Sequence, residues 1–195
     1  MKKTNNKGVT MLVIVAFLLV ISMHFENERN QNNDLLSYNE HTTIERLKKE
    51  DLFNIMEETS VILFTNKEND NSVVKKNLYN TAMLSGINKI YMMDLTDEEA
   101  NITLGENDEI IIEKKSTEFY DKLLNKLGSF AEIYGIENKY GKMINTGYQK
   151  IYTPCVIFVK NGDIIYSHYY SETIEESELK DVYLKGFELI TNKNI

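Results

Sequence analysis

The chain has a single cysteine, Cys155, and a single proline, Pro154, and the two are adjacent. One cysteine excludes an intramolecular disulfide, and with it any stapled scaffold. Only an intermolecular bridge through Cys155 remains available. Histidine is sparse as well. His24, His41 and His168 are scattered, and no His-Glu-x-x-His, zinc spacing or Walker loop occurs. Positive charge is also short: 22 Lys and Arg face 30 Asp and Glu, for a net charge of −8. Taking the +3 of Lys2, Lys3 and Lys7 from that total leaves −11 on the rest of the chain. Such a body lacks the basic footprint that nucleic acid requires and offers little to anionic lipid headgroups. No cofactor and no metal is expected. The Asn/Asp loop at 66–71 has neither EF-hand spacing nor the glycine that a calcium loop needs.

What is present begins with an uncharged apolar run, Val9 to Met23. Lysines precede it, and acidic, Asn-rich sequence follows. This layout predicts a signal peptide or a membrane anchor over residues 1–25. The run is short for a span, although Gly8, His24 and Phe25 extend it. Val20-Ile21-Ser22 lacks the small residue of a good cleavage site, which favours an uncleaved anchor with the lysines in the cytoplasm. Secretion after cleavage is the alternative. Residues 26–40 read as a polar tether, and residues 41–195 as the folded domain. The hydrophobic fraction of 42% is enough to build a core there.

Within that domain, Ile44, Leu47, Leu52, Ile55 and Met56 recur at helical spacing, predicting a helix over 43–58 capped by Thr42 or Thr43. Ser60 to Thr65 (SVILFT) and Lys89 to Leu95 read as buried strands, with a helix over 72–85 between them. A right-handed crossover makes those strands parallel neighbours. Residues 96–109 read as an acidic loop, and 110–112 as a short strand or a lead-in to the next helix. Ser116 or Thr117 caps a helix through about Leu127. Glycines at 128, 135, 141 and 147 predict turns and a small hairpin. Residues 175–191 form a closing helix. The acid pairs Glu57-Glu58 and Asp97-Glu98-Glu99 read as solvated charge. Asp94 reads as a hydrogen-bonded strand end. Tyr166, His168, Tyr169 and Tyr170 read as half-buried strand residues that also suit a partner contact.

Residues 151–166, IYTPCVIFVKNGDIIY, form a proline-initiated strand, an Asn161-Gly162 turn and a second strand. This hairpin resembles the C-terminal hairpin of thioredoxins. Together with the helix–strand–helix–strand start and the closing helix, the resemblance covers roughly residues 42–192. It implies a central mixed sheet flanked by helices, a cis peptide at Pro154, and an insertion between residues 96 and 150. The family's Cys-x-x-Cys pair lies after the first central strand, where a helix N-terminus lowers a thiol pKa. Its two positions fall here on Glu68 and Asn71, or on Asn69 and Ser72. None of these side chains exchanges a disulfide, whereas Asn69, Asp70, Asn71 and Ser72 all suit a helix cap. In redox-active relatives the backbone of the residue before the proline pairs with extended substrate, which points to Thr153.

The expectation is therefore a membrane-anchored, extracytoplasmic thioredoxin-like protein without a redox dithiol. It would bind a protein or peptide at Thr153, Pro154, Asn66, Glu68, Asn69, Asn71 and Ser72, as an accessory to folding or export. The alternative is a monothiol oxidoreductase using Cys155. Strand alternation sets Cys155 with Ile157 and Val159 on one face and Val156 with Phe158 on the other, which favours a buried, inert thiol.

Overall fold

A computed structural model describes residues 42–171 and 173–191. The predicted anchor and tether lie outside the described residues. Five strands form the central sheet: β1 (Thr43–Arg46), β2 (Ser60–Thr65), β3 (Lys89–Asp94), β8 (Cys155–Lys160) and β9 (Asp163–Tyr169), in the order β1-β3-β2-β8-β9. β3 runs parallel to both β1 and β2, while β8 is antiparallel to β2 and to β9. The sheet is thus mixed, and the expected parallel pairing of β2 with β3 is present.

Helices cover both faces. On one lie α1 (Lys49–Ile55) and α3 (Glu118–Leu127), with Leu52, Leu123 and Leu127 packed on Ile62, Phe64 and Ile157. On the other lie α2 (Ser72–Leu84) and α4 (Glu176–Thr191), with Leu78, Tyr183 and Phe187 against Val61, Leu63 and Phe158. All six residues of β2 are buried, as a continuous apolar run demands when both faces are covered. A fully buried side chain of this size contributes about 1.5–3 kcal/mol.

Two antiparallel hairpins stand apart from this sheet. β4 (Asn101–Leu104) pairs with β5 (Ile110–Lys114), and β6 (Glu132–Glu137) pairs with β7 (Met143–Lys150). With α3 between them, they occupy the predicted insertion. The hairpin expected from the glycines at 128–150 is β6–β7.

Two local readings are corrected. Residues 43–58 are not one helix: Thr43–Arg46 is a strand on the edge of the sheet, beside β3. Ile44 packs on the α2/α4 face and Leu47 on the opposite one, so their spacing imitates a helix stripe without being one. Thr42 does not cap it. Its hydroxyl donates to the Ile87 carbonyl at 2.7 Å, and the α1 N-cap is Lys48, which supplies no side-chain bond. The acidic loop 96–109 also contains a strand, β4, because Ile102 and Leu104 alternate toward one face opposite Ile112 and Ile110. The Thr117 cap is present, its hydroxyl accepting the Tyr120 amide at 3.2 Å.

Candidate functional site

β2 ends at Thr65, and the chain turns through residues 66–71 before α2 begins at Ser72. Side-chain hydrogen bonds shape this turn. Asn66 Oδ1 accepts the Glu68 amide at 2.9 Å. Asn71 Nδ2 donates to the Asn69 carbonyl at 2.9 Å and to the Asn66 carbonyl at 3.3 Å. Asp70 Oδ1 accepts the Ser72 amide at 2.8 Å. That amide bond holds the Asp70 carboxyl below its ordinary pKa. Asp70 thus meets the first orphan N–H of α2, whereas Asn71, at the N-cap position, folds its side chain back over the loop. Asn71 Oδ1 is buried without a partner among the described residues.

Neighbouring segments fix the loop from below. The Lys67 amide donates to Thr96 Oγ1 at 2.9 Å, and the Thr96 hydroxyl in turn bonds Asp94. Burial opposes ionisation of Asp94, but its bonds from Thr96 outweigh that and hold its pKa low. Lys67 Nζ lies 3.8 Å from Asp94 and 3.6 Å from Asp97.

Across from the loop, the Thr153–Pro154 peptide is cis. Pro154 is buried and Thr153 is half-buried. Asn69 Nδ2 donates to the Thr153 carbonyl at 2.7 Å and reaches Thr153 Oγ1 at 3.2 Å. The structure therefore joins Asn69, through direct bonds, to Thr153, and ties Asn66, Asn71 and Ser72 into the same loop. Glu68 and Ser72 point to solvent. The Pro154 carbonyl accepts the Tyr170 amide at 2.9 Å. No hydrogen bond among the described residues uses the Thr153 amide.

Tyrosines line the approach to Thr153. Tyr152 has Tyr134 at 6.5 Å and Tyr169 at 5.9 Å, between ring centroids. Lys150 Nζ stands 4.7 Å above Tyr134. His168 stacks on Tyr169 and meets Tyr183 edge-on. Of the aromatic cluster expected on β9, Tyr169 is exposed, while Tyr166 packs on Phe158.

Cys155 is 7% exposed and belongs to the α1/α3 core with Ile157 and Val159. Burial, with a contribution from Glu132, pushes its thiol up to about 12. A nucleophilic cysteine needs exposure and an electropositive setting; this thiol has neither.

One feature escaped the sequence reading. Glu98 and Glu99 are buried rather than solvated. The Glu98 carboxylate takes the Lys49 ammonium and, at 2.6 Å, the Thr117 hydroxyl. Glu99 Oε2 lies 3.3 Å from Lys150, while its Oε1 has no partner among the described residues. Burial raises the Glu99 pKa against the pull of Lys150, and the Glu68 charge adds to the rise. A run of three acids reads as solvent-facing, so nothing local marks it as buried. Among the described residues no three potential metal ligands converge, and no helix is long and apolar enough to cross a membrane.

The chain matches no protein-family model, and no curated protein matches it in sequence.

Proposed function

We propose that the chain is a thioredoxin-like protein without redox chemistry, anchored by residues 9–23 with its domain outside the cytoplasm. It binds an extended segment of a protein partner between the 66–72 loop and Thr153–Pro154, as an accessory to folding or export. The observation that carries this reading is the 2.7 Å bond from Asn69 to the Thr153 carbonyl. It puts the loop that stands in the dithiol's place against the residue that pairs with extended substrate in the resembled family. Helices on both sheet faces and a closing helix against the β8–β9 hairpin support the fold reading. The open Thr153 amide supplies a donor for an added strand. Its carbonyl keeps a second lone pair beside the Asn69 bond. Tyr152 and Tyr169 offer apolar contact area with polar tips beside it.

The test places a photo-crosslinking residue at Asn69 or at Thr153 in the full-length protein within its native membrane. The expected result is a discrete adduct from each position, absent from Lys180 on the exposed side of α4. A Thr153→Trp change should abolish the Asn69 adduct by filling the groove. Adducts identical to those from Lys180, or unaltered by Thr153→Trp, overturn the groove as the binding surface.

A further inference from the structure

The β4–β5 and β6–β7 hairpins together line a cavity of about 490 Å³. Its floor is apolar: Ile102 is buried, and Leu104 and Ile136 are half-buried. Its rim carries three carboxylates, Glu106, Asp108 and Glu137. Asp108 is held in place from the other hairpin. Asn138 Oδ1 accepts the Tyr140 and Lys142 amides, both at 3.0 Å, which fixes the orientation of its side-chain amide. Its Nδ2 then donates to Asp108 Oδ2 at 2.8 Å. Asp108 has φ 63°, a left-handed conformation that Asp adopts more readily than most residues. The carboxylate is thus set between the two turns before any ligand arrives. Lys139 is the one cation among the described lining residues, and its Nζ lies 3.4 Å from the Glu106 carbonyl and 5.2 Å from the Tyr140 ring centroid. No ion pair among the described residues includes Glu106, Asp108 or Glu137.

Size and charge select the occupant. The volume falls within the range of small-molecule sites, about 300–1,000 Å³, and far exceeds what a single ion needs. The acids do not converge as metal ligands, since no three such groups do so among the described residues. They ring an apolar space instead. A cleft with low-dielectric walls and charge of one sign concentrates ligands of the other sign. An anion is repelled there, and a neutral ligand leaves the carboxylates unanswered. We propose that the cavity binds a small organic ammonium compound, with its apolar body on Ile102, Leu104 and Ile136 and its cationic nitrogen at Asp108. Asn138 occupies Asp108 Oδ2, so Oδ1 accepts from the ammonium. Glu106 and Glu137 strengthen the field at the mouth. The site shares no residue with the Thr153 groove and stands whether or not that groove binds a partner.

The test places the full-length protein in phosphatidylcholine nanodiscs, with empty discs as the blank. The probe is dansylcadaverine, an apolar fluorophore carrying an alkylammonium. Its N-acetylated neutral analogue and the anion dansylglycine are titrated beside it. The ammonium probe should bind about tenfold more tightly than either. That preference should collapse in 1 M salt, where the Debye length is about 3 Å. Leu104→Trp should abolish binding by filling the floor. Asp108→Asn keeps a residue that accepts the left-handed backbone and the Asn138 bond. It should weaken the ammonium probe about threefold and leave the neutral analogue unchanged, a readout that holds even where Leu104→Trp fails to fold. Equal affinity for the three probes, binding no greater than to empty discs, or no effect of Asp108→Asn on the ammonium probe overturns the proposal. So does undiminished binding to a folded Leu104→Trp protein.

Discussion

Lys150 approaches Glu99 to 3.3 Å, yet the same carboxylate keeps its other oxygen buried and without a partner among the described residues. The adjacent Glu98 is served on both sides, by Lys49 and by Thr117. Two neighbouring glutamates in one short segment therefore carry opposite electrostatic costs.

Their contributions to stability run in opposite directions with pH. Burial raises the Glu99 pKa, so folding favours its protonated form. That contribution is complete below the unfolded value of roughly 4.3 and is lost as pH rises through the folded pKa. For Glu98, burial is outweighed by the bonds from Lys49 and Thr117, and the pKa falls. Its contribution is present above the unfolded value and is lost as pH falls through the folded one. Glu99→Gln is expected to stabilise the protein at neutral pH by about 1 kcal/mol, with the gain shrinking toward pH 4 (roughly the unfolded pKa). Glu98→Gln is expected to cost about 1–3 kcal/mol at neutral pH, with the loss shrinking in acid. Urea denaturation across that range decides it. Shifts of the same sign at neutral pH in both variants refute the assignment.

Gly186 lies in α4 directly over the Phe158 ring, and a Cβ added there would overlap the ring atoms. The ring is held by Phe187 edge-on at 5.2 Å and by Tyr166 at 5.8 Å, so it has nowhere to move. Gly186→Ala gains up to about 1 kcal/mol of helix propensity. The overpacking typically costs about 1–3 kcal/mol, and the net result should be destabilising. Adding Phe158→Leu to Gly186→Ala should cost less than the sum of the single changes. Strict additivity in thermal melts would show that the two positions do not meet.

The buried Cys155 thiol should resist modification. With its pKa pushed up to about 12, the thiolate fraction at pH 8 is on the order of one in ten thousand. Iodoacetamide should label the folded chain orders of magnitude more slowly than the urea-unfolded chain. The folded protein should also reduce no disulfide substrate beyond the buffer rate. Fast native labelling would restore the monothiol alternative.

The parts of the fold legible in the sequence are those with a strong local pattern and two covered faces. Ser60 to Thr65 could only be a buried strand, and Thr153 through Tyr166 specified its own turn. The opposite faces of Cys155 and Val156 followed from strand alternation alone. Thr43–Arg46 was not legible, because a four-residue edge strand owes its identity to β3, which lies more than forty residues away. Residues 110–112 read equally as a short strand or as a lead-in to the next helix, because the pairing with β4 that makes them a strand is not written in the three isoleucines. At the site, the residues themselves mark the loop and Thr153 separately, and only the family resemblance set them in one groove. The bond between Asn69 and Thr153 spans 84 positions and has no local signature.

Because every residue of β2 is enclosed, the loop after Thr65 is mounted on a strand packed on both faces. Lys67, Glu68, Asn69 and Asp70 are exposed, while the footing of the loop is set by Thr96 and Asp94, outside the loop itself. Mount and fitting are thereby separable. The 66–72 sequence is open to change from one polar set to another, without loss of the sheet that presents it.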